Sequence, residues 1–144
     1  MSSRSPRRAS EFDPNDALRT AETKIRVRYV ECDPMGFAHH STYPIWFEMG
    51  RTEMLRAQGG RYRDLEASGI FLVVADIAIR FRVPARYDDL LTLRTHLIEG
   101  GRARIRHGYE LRDADGRLVA QAVSTLACVD RDGQLQAIPE DFEA

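Results

Sequence analysis

The sequence predicts an α+β domain in which an antiparallel sheet wraps around one long helix. Residues 23–29 alternate apolar and charged side chains, which is the period of a half-buried strand. After a short loop comes one long stripe of apolar residues at helical spacing, and four strand-like runs then follow in succession. Such consecutive strands pair antiparallel, so the helix is expected to lie across the concave face of the sheet.

The long helix is expected over residues 43–58. Ser41 or Thr42 can serve as its N-cap, and Pro44 is tolerated in the first turn because its missing N–H would be unpaired there. The stripe that should face the sheet consists of Trp46, Phe47, Gly50, Met54 and Ala57. Gly50 would let the backbones of helix and sheet approach closely.

The four strands after the helix are expected over residues 70–83, 89–99, 102–112 and 117–130. In the run 102–112 the odd-numbered residues are mostly apolar, whereas the even-numbered ones include three arginines. The two sets should therefore lie on opposite faces of the sheet. Asp113-Ala114-Asp115-Gly116 has the composition of a hairpin turn between the last two strands.

Length and composition favour one domain. A chain of 144 residues is too short for two ordinary domains, and we expect a disordered N-terminal tail over residues 1–20 before a single domain at 21–144. No apolar run approaches the roughly 20 residues of a membrane span, and no apolar segment follows the basic N-terminus as in a secretory signal. We therefore expect a cytoplasmic protein without a membrane span. The net charge of −1 does not favour a nucleic acid partner.

The chemically informative segment is the loop before the long helix. Asp33 lies in a Gly/Pro-containing loop seven residues before His40, and the loop leads directly into the helix. The first N–H groups of a helix are unpaired and stand at the positive end of its dipole, so they can hold a developing oxyanion. A carboxylate beside them can attack a carbonyl carbon or deprotonate a water molecule. Each residue alone has a simpler interpretation, because an aspartate before proline commonly forms a turn.

Together the residues of this segment resemble the hotdog-fold 4-hydroxybenzoyl-CoA thioesterase family, which includes the acyl-CoA thioesterases associated with the Tol-Pal system. The family's pattern starts with an aromatic residue, continues with an aspartate and a glycine, and ends with a polar or aromatic pair and a tyrosine before the central helix. Here the matching positions are Tyr29, Asp33, Gly36, His39, His40 and Tyr43. The resemblance extends over residues 23–135.

This resemblance implies a hotdog fold of five antiparallel strands in the order 1-3-4-5-2, wrapped around the central helix. It implies that Asp33 is the catalytic carboxylate and that Tyr29 assists it. At the position of His40 the family uses either a backbone N–H that polarises the thioester carbonyl or a catalytic histidine. We favour the catalytic side chain, because this sequence has a histidine rather than an aromatic residue there. Gly36, His39 and Tyr43 would help to hold the oxyanion or position the substrate. Homodimers or homotetramers with the active site between subunits are implied, and no cofactor or metal is needed.

The expected activity is hydrolysis of an acyl-CoA thioester to a free acid and CoA, with the acyl group left open. The alternative is a non-catalytic hotdog module that binds an acyl or aromatic ligand or serves as a scaffold. A hotdog dehydratase is disfavoured because the carboxylate precedes the helix rather than lying on it. A metal site at Asp33, His39 and His40 is disfavoured by their closeness in sequence. A Cys32 nucleophile is disfavoured because the neighbouring Asp33 opposes the thiolate.

The arginines at the start of the strand 102–112 suggest where CoA is held. Arg102 and Arg104 occupy alternate positions, and the planar guanidinium group suits phosphate. On pattern alone a solvated outer face is the simpler interpretation, but CoA carries phosphates that must be held near the mouth of the site. We predict that these two arginines contact the CoA phosphates, with Arg82 and Arg86 as the next candidates.

Overall fold

A computed structural model, which describes residues 7–139 of the protein, has the predicted α+β architecture. Its strands pair in the order β1-β3-β4-β5-β2, all antiparallel, and β6 pairs with the end of β5. This is the strand order that the resemblance implied. The elements are β1 (Arg19–Arg26), α1 (Thr42–Ala57), α2 (Tyr62–Ala67), β2 (Phe71–Phe81), β3 (Leu90–Gly100), β4 (Ile105–Arg112), β5 (Leu118–Val129) and β6 (Leu135–Gln136).

Helix α1 packs against β1 and β3, and Gly50 is the point of closest approach. A Cβ atom at this position would lie 2.2 Å from the Thr95 hydroxyl oxygen and 2.8 Å from a methyl carbon of Leu93. Any larger residue would therefore push the helix away from the sheet. The predicted stripe is buried from Trp46 to Met54, but Ala57, the last residue of α1, is exposed because the helix ends there. Phe47 stacks on Tyr109 with ring centroids 4.5 Å apart. Truncating such a buried aromatic residue to alanine typically costs about 3–5 kcal/mol of stability.

The first strand ends earlier than the alternating pattern suggested. It stops at Arg26, and a 3₁₀ turn occupies Tyr29–Glu31. The turn forms because the Glu31 carboxylate accepts the Arg28 backbone N–H at 2.7 Å, which pulls the chain out of the sheet. Tyr29 is left 80% exposed, so the prediction that it belongs to a half-buried strand was wrong.

The N-terminal segment is folded further upstream than expected. Strand β1 begins at Arg19, within the segment predicted as a disordered tail. Phe12 is only 7% exposed, and it fits into the space above Gly108, where a Cβ would lie 2.6 Å from its ring. The boundary of the domain therefore lies before Phe12 rather than near residue 20, and residues 1–6 of the predicted tail lie outside the described part.

Strand β4 starts three residues later than predicted. Residues 101–104 form the connection from β3, and the strand proper begins at Ile105. Arg102 and Arg104 consequently lie in this connection, and the prediction that they alternate along a strand with Arg106 was wrong. From Ile105 onwards the predicted alternation is confirmed, because the odd-numbered residues from 105 to 111 are buried.

Candidate active site

Asp33 initiates a tight turn that folds the loop back on itself. One carboxylate oxygen, Oδ1, accepts the backbone N–H groups of Met35 at 2.9 Å and Phe37 at 3.2 Å. The Asp33 N–H donates to the Phe37 carbonyl at 2.8 Å, and Gly36 supplies the positive φ of 83° that the turn requires. The second oxygen, Oδ2, makes no hydrogen bond or ion pair within residues 7–139. One half of the carboxylate therefore holds the turn, and the other half is available to a ligand.

Glu31 anchors this loop to the central helix. Its buried carboxylate accepts the indole N–H of Trp46 at 2.9 Å, while its backbone carbonyl accepts the His39 N–H at 2.8 Å. Burial raises the pKa of Glu31, but hydrogen bonds from Arg28 and Trp46 outweigh burial and hold the pKa below its ordinary value. Sequence reasoning missed this positioning role. The pairing of Glu31 with Trp46 spans fifteen residues, and no short motif marks it.

The backbone N–H groups between the turn and α1 are almost all paired. Ala38 donates to the Ala85 carbonyl, His39 to the Glu31 carbonyl, and Thr42 to the His39 carbonyl. The Ser41 N–H donates to the Nδ1 atom of the His39 ring at 3.2 Å. Within the described chain the His40 N–H is the exception in this stretch, because it makes no hydrogen bond. An unpaired donor therefore lies seven residues from Asp33, just before the first residue of α1.

The two histidine rings lie side by side on the surface. Their centroids are 4.2 Å apart, and both residues are exposed. The Ser41 hydroxyl fixes the His39 ring through a 2.7 Å hydrogen bond to Nδ1, whereas no hydrogen bond within residues 7–139 orients the His40 ring. Ser41 occupies the N-cap position of α1, but its side chain caps no helix N–H. The fixed group at position 40 is thus the backbone amide rather than the imidazole.

The two tyrosines predicted for the site lie in different environments. Tyr29 packs edge-on against Tyr87 on the surface, with centroids 5.6 Å apart. Tyr43 is 3% exposed and packs edge-on against Trp46 and Phe81, and burial raises the pKa of its hydroxyl. Tyr29 is therefore accessible to a ligand near the loop, whereas Tyr43 is part of the core below it.

Neither alternative centre in this loop gains support from the geometry. Burial, followed by the charges of Asp33, Glu31 and Asp89, raises the pKa of the Cys32 thiol, which disfavours a thiolate nucleophile at neutral pH. In the described part of the chain, no three histidine, cysteine or acidic side chains converge as metal ligands. Asp33 and its surrounding amides thus constitute the candidate site.

Arginine side chains lie beside the Asp33 loop and in the connection between β3 and β4. The Arg86 guanidinium lies over the Phe37 ring, 4.8 Å from its centroid, which brings this arginine against the Asp33 turn. Arg104 is exposed in the β3–β4 connection and donates to the Glu99 carboxylate at 2.9 Å. Arg102 is also exposed, and its carbonyl accepts the Ile138 N–H at 2.7 Å. Arg102 and Arg104 therefore share the β3–β4 connection, whereas Arg86 belongs to the surroundings of the carboxylate.

Comparison with known proteins extends beyond the loop to nearly the whole chain. Residues 27–144 match the family model described as the thioesterase-like superfamily. The acyl-CoA thioesterase YbgC of Haemophilus influenzae is 32% identical over 123 residues, which cover 83% of this chain and 89% of that protein. The long-chain acyl-CoA thioesterase FadM of Escherichia coli is 29% identical over 110 residues, covering 76% and 83%. The solved structure of DHNA-CoA thioesterase from Staphylococcus aureus is similar at a TM-score of 0.79 and 29% identity, covering 85% and 81%.

Proposed function

Because the chain belongs to the thioesterase-like superfamily and has the hotdog fold, we propose that it hydrolyses acyl-CoA thioesters with Asp33 as the catalytic carboxylate. The assignment to Asp33 rests on one observation: its two carboxylate oxygens differ in their hydrogen bonding. Oδ1 is held by two backbone amides, so Oδ2 is fixed in direction yet unpaired within the described residues. Preorganisation of this kind lowers the cost of reaching the transition state.

Oδ2 can act by two routes, and the atoms and charges of each reaction balance without a cofactor. As a general base it takes a proton from water, whose oxygen attacks the thioester carbon. As a nucleophile it attacks that carbon itself, and water then hydrolyses the mixed anhydride. In either route the carbonyl oxygen becomes an oxyanion, the C–S bond breaks, and the CoA sulfur leaves and is protonated. The unpaired His40 N–H is the donor that we assign to this oxyanion.

The remaining residues of the segment have supporting roles in this proposal. Gly36 permits the turn, His39 fixes the course of the chain through its contacts with Ser41, and Tyr43 anchors the start of α1 in the core. Tyr29, exposed beside Tyr87, is assigned to the incoming substrate. We assign the CoA phosphates to Arg102 and Arg104.

We further propose that the protein forms at least a dimer through the edge of β2. Both outer strands of the sheet have an unpaired edge, but they differ in character. Exposed residues of β1 are polar or charged, as in strands protected against association. Strand β2 exposes Val73 at 41% and Val74 at 48%. Light scattering at micromolar concentration should give twice or four times the monomer mass, and a monomer would contradict an active site between subunits.

Thiol release measured with a thiol-reactive dye tests the activity directly. The panel should contain short-chain, medium-chain and aromatic acyl-CoAs, because Asp33 acts on the thioester group that all of them share. We expect catalytic turnover of at least one member, with one thiol released for each acid formed. Binding of acyl-CoAs without any thiol release would instead support a non-catalytic ligand-binding module.

A further inference from the structure

A second polar centre lies beneath the middle of α1, away from the Asp33 loop. Arg51 is 8% exposed, and its Nη1 atom donates to the Tyr109 hydroxyl at 2.9 Å. That hydroxyl is 2.6 Å from the Ser124 hydroxyl, and Arg51 also interacts with the hydroxyl of Tyr62 on α2. All the groups that Arg51 meets here are neutral. Within residues 7–139 no carboxylate oxygen lies within 4.0 Å of its guanidinium group.

A buried cation without a counter-ion is unusual. Desolvation of a charge costs several kcal/mol, and proteins normally offset it with an opposite charge. Arginine cannot escape this cost by losing its proton. The two acidic residues of the same helix do not neutralise Arg51, because Glu53 pairs with Arg56, and Glu48 is exposed and lies outside ion-pair distance. The missing negative charge is therefore best supplied from outside the described chain.

The surroundings of Arg51 leave room for such a partner. A cavity of about 630 Å³ opens between α1, α2 and the sheet, and Arg51 and Tyr62 form part of its lining. Three apolar side chains, Leu72, Val74 and Leu126, also line it. The remaining charged residues of the lining are exposed, namely Glu48, Arg56, Arg61, Arg63 and Glu66. This volume lies within the range of roughly 300–1,000 Å³ that is usual for small-molecule sites. Among the lining arginines Arg51 is the buried one, and a buried cation beside apolar side chains suits a ligand that has an aliphatic body and one anionic end.

The core behind the cavity is also incompletely paired. His107 is fully buried, and neither of its ring nitrogens has a hydrogen-bond partner; the Thr95 hydroxyl is likewise unpartnered. Burial, and then the charge of Arg51, lowers the pKa of His107 to about 3, so this residue stays neutral at physiological pH. His107 therefore adds no charge to the cluster. Within the described residues of this buried cluster, the Arg51 guanidinium is the charge that has no ion-pair partner.

We propose that this cavity receives the acyl group of the substrate and that Arg51, assisted by Tyr62, binds a carboxylate at the far end of that group. The inference rests on the proposed function and deepens it, because it names acyl groups that end in a carboxylate as the substrate class. Arg51 lies nine residues beyond the first residue of α1, Thr42. At 1.5 Å per residue this places it about 13 Å along the helix from the loop. Acyl groups of several lengths must therefore be compared.

A binding experiment tests the site without requiring turnover. Succinate, adipate and sebacate are titrated by calorimetry into the intact protein, alongside butyrate, hexanoate and decanoate of matching length. We expect at least one diacid to bind more tightly than its matched monoacid, and Arg51→Met to abolish that preference. The loss should be at least about tenfold, as for other hydrogen bonds to charged groups. Arg94→Ala, which removes an exposed arginine paired with Glu22 on β1, is the matched control and should keep the preference.

A second variant, in which diacid binding should become tighter, keeps the site testable if Arg51→Met does not fold. Glu48 lines the cavity from the exposed face of α1, so its carboxylate competes with an anionic ligand. Glu48→Gln removes that charge without disturbing the core, and it should tighten diacid binding. Equal affinity of diacids and monoacids for the wild type, or diacid binding that is unchanged in Glu48→Gln and in folded Arg51→Met, overturns the site.

Kinetics separate this inference from the proposed activity. The ratio of kcat/KM for adipoyl-CoA to that for hexanoyl-CoA, or for the best chain length, should fall in Arg51→Met. Diacid binding that depends on Arg51, without hydrolysis of any thioester, would refute the proposed function and leave the site standing. Hydrolysis with the same ratio in both proteins would refute the site alone. Raised KM for both CoA esters, but not for the corresponding pantetheine esters, would assign Arg51 to a CoA phosphate and overturn the acyl assignment.

Discussion

The Asp33 turn is built like two other turns of the same chain, at Asp113 and Asp130. In each, Oδ1 of the aspartate accepts the N–H groups of the second and fourth residues after it, at distances between 2.9 and 3.2 Å. In each, a glycine three residues after the aspartate has a φ between 80° and 83°. The other two turns connect β4 to β5 and β5 to β6. The backbone hydrogen bonds of the three turns therefore cannot distinguish a catalytic turn from a structural one.

The difference lies in the second carboxylate oxygen and in the element to which each turn leads. Oδ2 of Asp113 accepts the Arg117 guanidinium at 2.8 Å, and Oδ2 of Asp130 accepts the Gln136 amide at 3.0 Å. At the position equivalent to Arg117 the first turn has Phe37, whose side chain cannot donate a hydrogen bond, and Oδ2 of Asp33 is unpaired in the described chain. Paired strands continue from the other two turns, whereas the Asp33 turn leads to a helix N-terminus. The catalytic role that we propose for Asp33 therefore depends on the unpaired oxygen of a turn that the chain also uses structurally.

The largest effect is expected when the same substitution is made in the three turns. Asparagine keeps an oxygen that can accept both backbone N–H groups, so each turn should survive. Asp33→Asn should lower kcat by roughly 10²–10⁴-fold or more, because it removes the base or nucleophile. Asp113→Asn and Asp130→Asn should leave kcat within about twofold, since neither carboxylate is placed in the site. Thiol release and thermal unfolding are measured on all three variants.

This comparison fails if Asp33→Asn behaves like the other two variants. Near wild-type kcat in folded Asp33→Asn would reduce Asp33 to a structural turn residue. A large loss in Asp113→Asn with an unchanged unfolding temperature would show that turn geometry rather than the free oxygen matters. Either result can be read from the same set of kcat values.

A smaller effect is expected at His40, which lies between the Asp33 turn and the helix N-terminus. The sequence favoured a catalytic imidazole there, but the His40 amide is the group with a fixed direction. His40→Ala keeps the amide, so kcat should fall less than tenfold, against roughly 10²–10⁴-fold for loss of a proton-transferring imidazole. His39→Ala is the matched control, because it removes the adjacent ring and its contacts with Ser41. A loss of about 10²-fold confined to His40→Ala would restore the imidazole as the catalytic group.

The fold and the Asp33 segment could be predicted because their signals are local. The turn needs Asp33 and Gly36, three residues apart, and the helix needs only a stripe at regular spacing. The sheet order could be predicted from the resemblance alone, since it depends on long-range pairing. The first strand was predicted to continue to Tyr29, which was wrong. The turn that ends it depends on the Glu31 carboxylate, and this carboxylate is held by Trp46 of the packed helix. The errors at the end of the first strand and at the start of the domain, and the missed anchor, thus depend on tertiary contacts.

The Arg51 centre could not be predicted for the same reason. Its hydrogen bond joins residues 58 positions apart, and Tyr109 reaches Ser124 on a third element. In sequence, Arg51 is one cation on an amphipathic helix, and the simplest interpretation would place it in solvent. Burial without a counter-ion becomes visible only in three dimensions.

The smallest effect is expected at Arg102 and Arg104. Arg104 tests whether an arginine that already pairs with a carboxylate can still bind a CoA phosphate. Arg104 is held by Glu99 at 2.9 Å, much as Arg117 is held by Asp113 at 2.8 Å. Exposed ion pairs contribute only about 0–1 kcal/mol, so a CoA phosphate can displace Glu99 from Arg104. Arg102→Ala and Arg104→Ala should raise KM for acyl-CoA severalfold with little change in kcat, the result of lost uniform binding. The effect should shrink for acyl-pantetheine substrates, which lack the phosphates in question.

Two control variants test whether Glu99 competes with CoA for Arg104. Glu99→Gln should lower KM for acyl-CoA by freeing Arg104, whereas Arg117→Ala should leave KM unchanged. Identical KM values in all these variants would return both arginines to the solvated surface, and Arg86 beside the Asp33 turn would then be tested in their place.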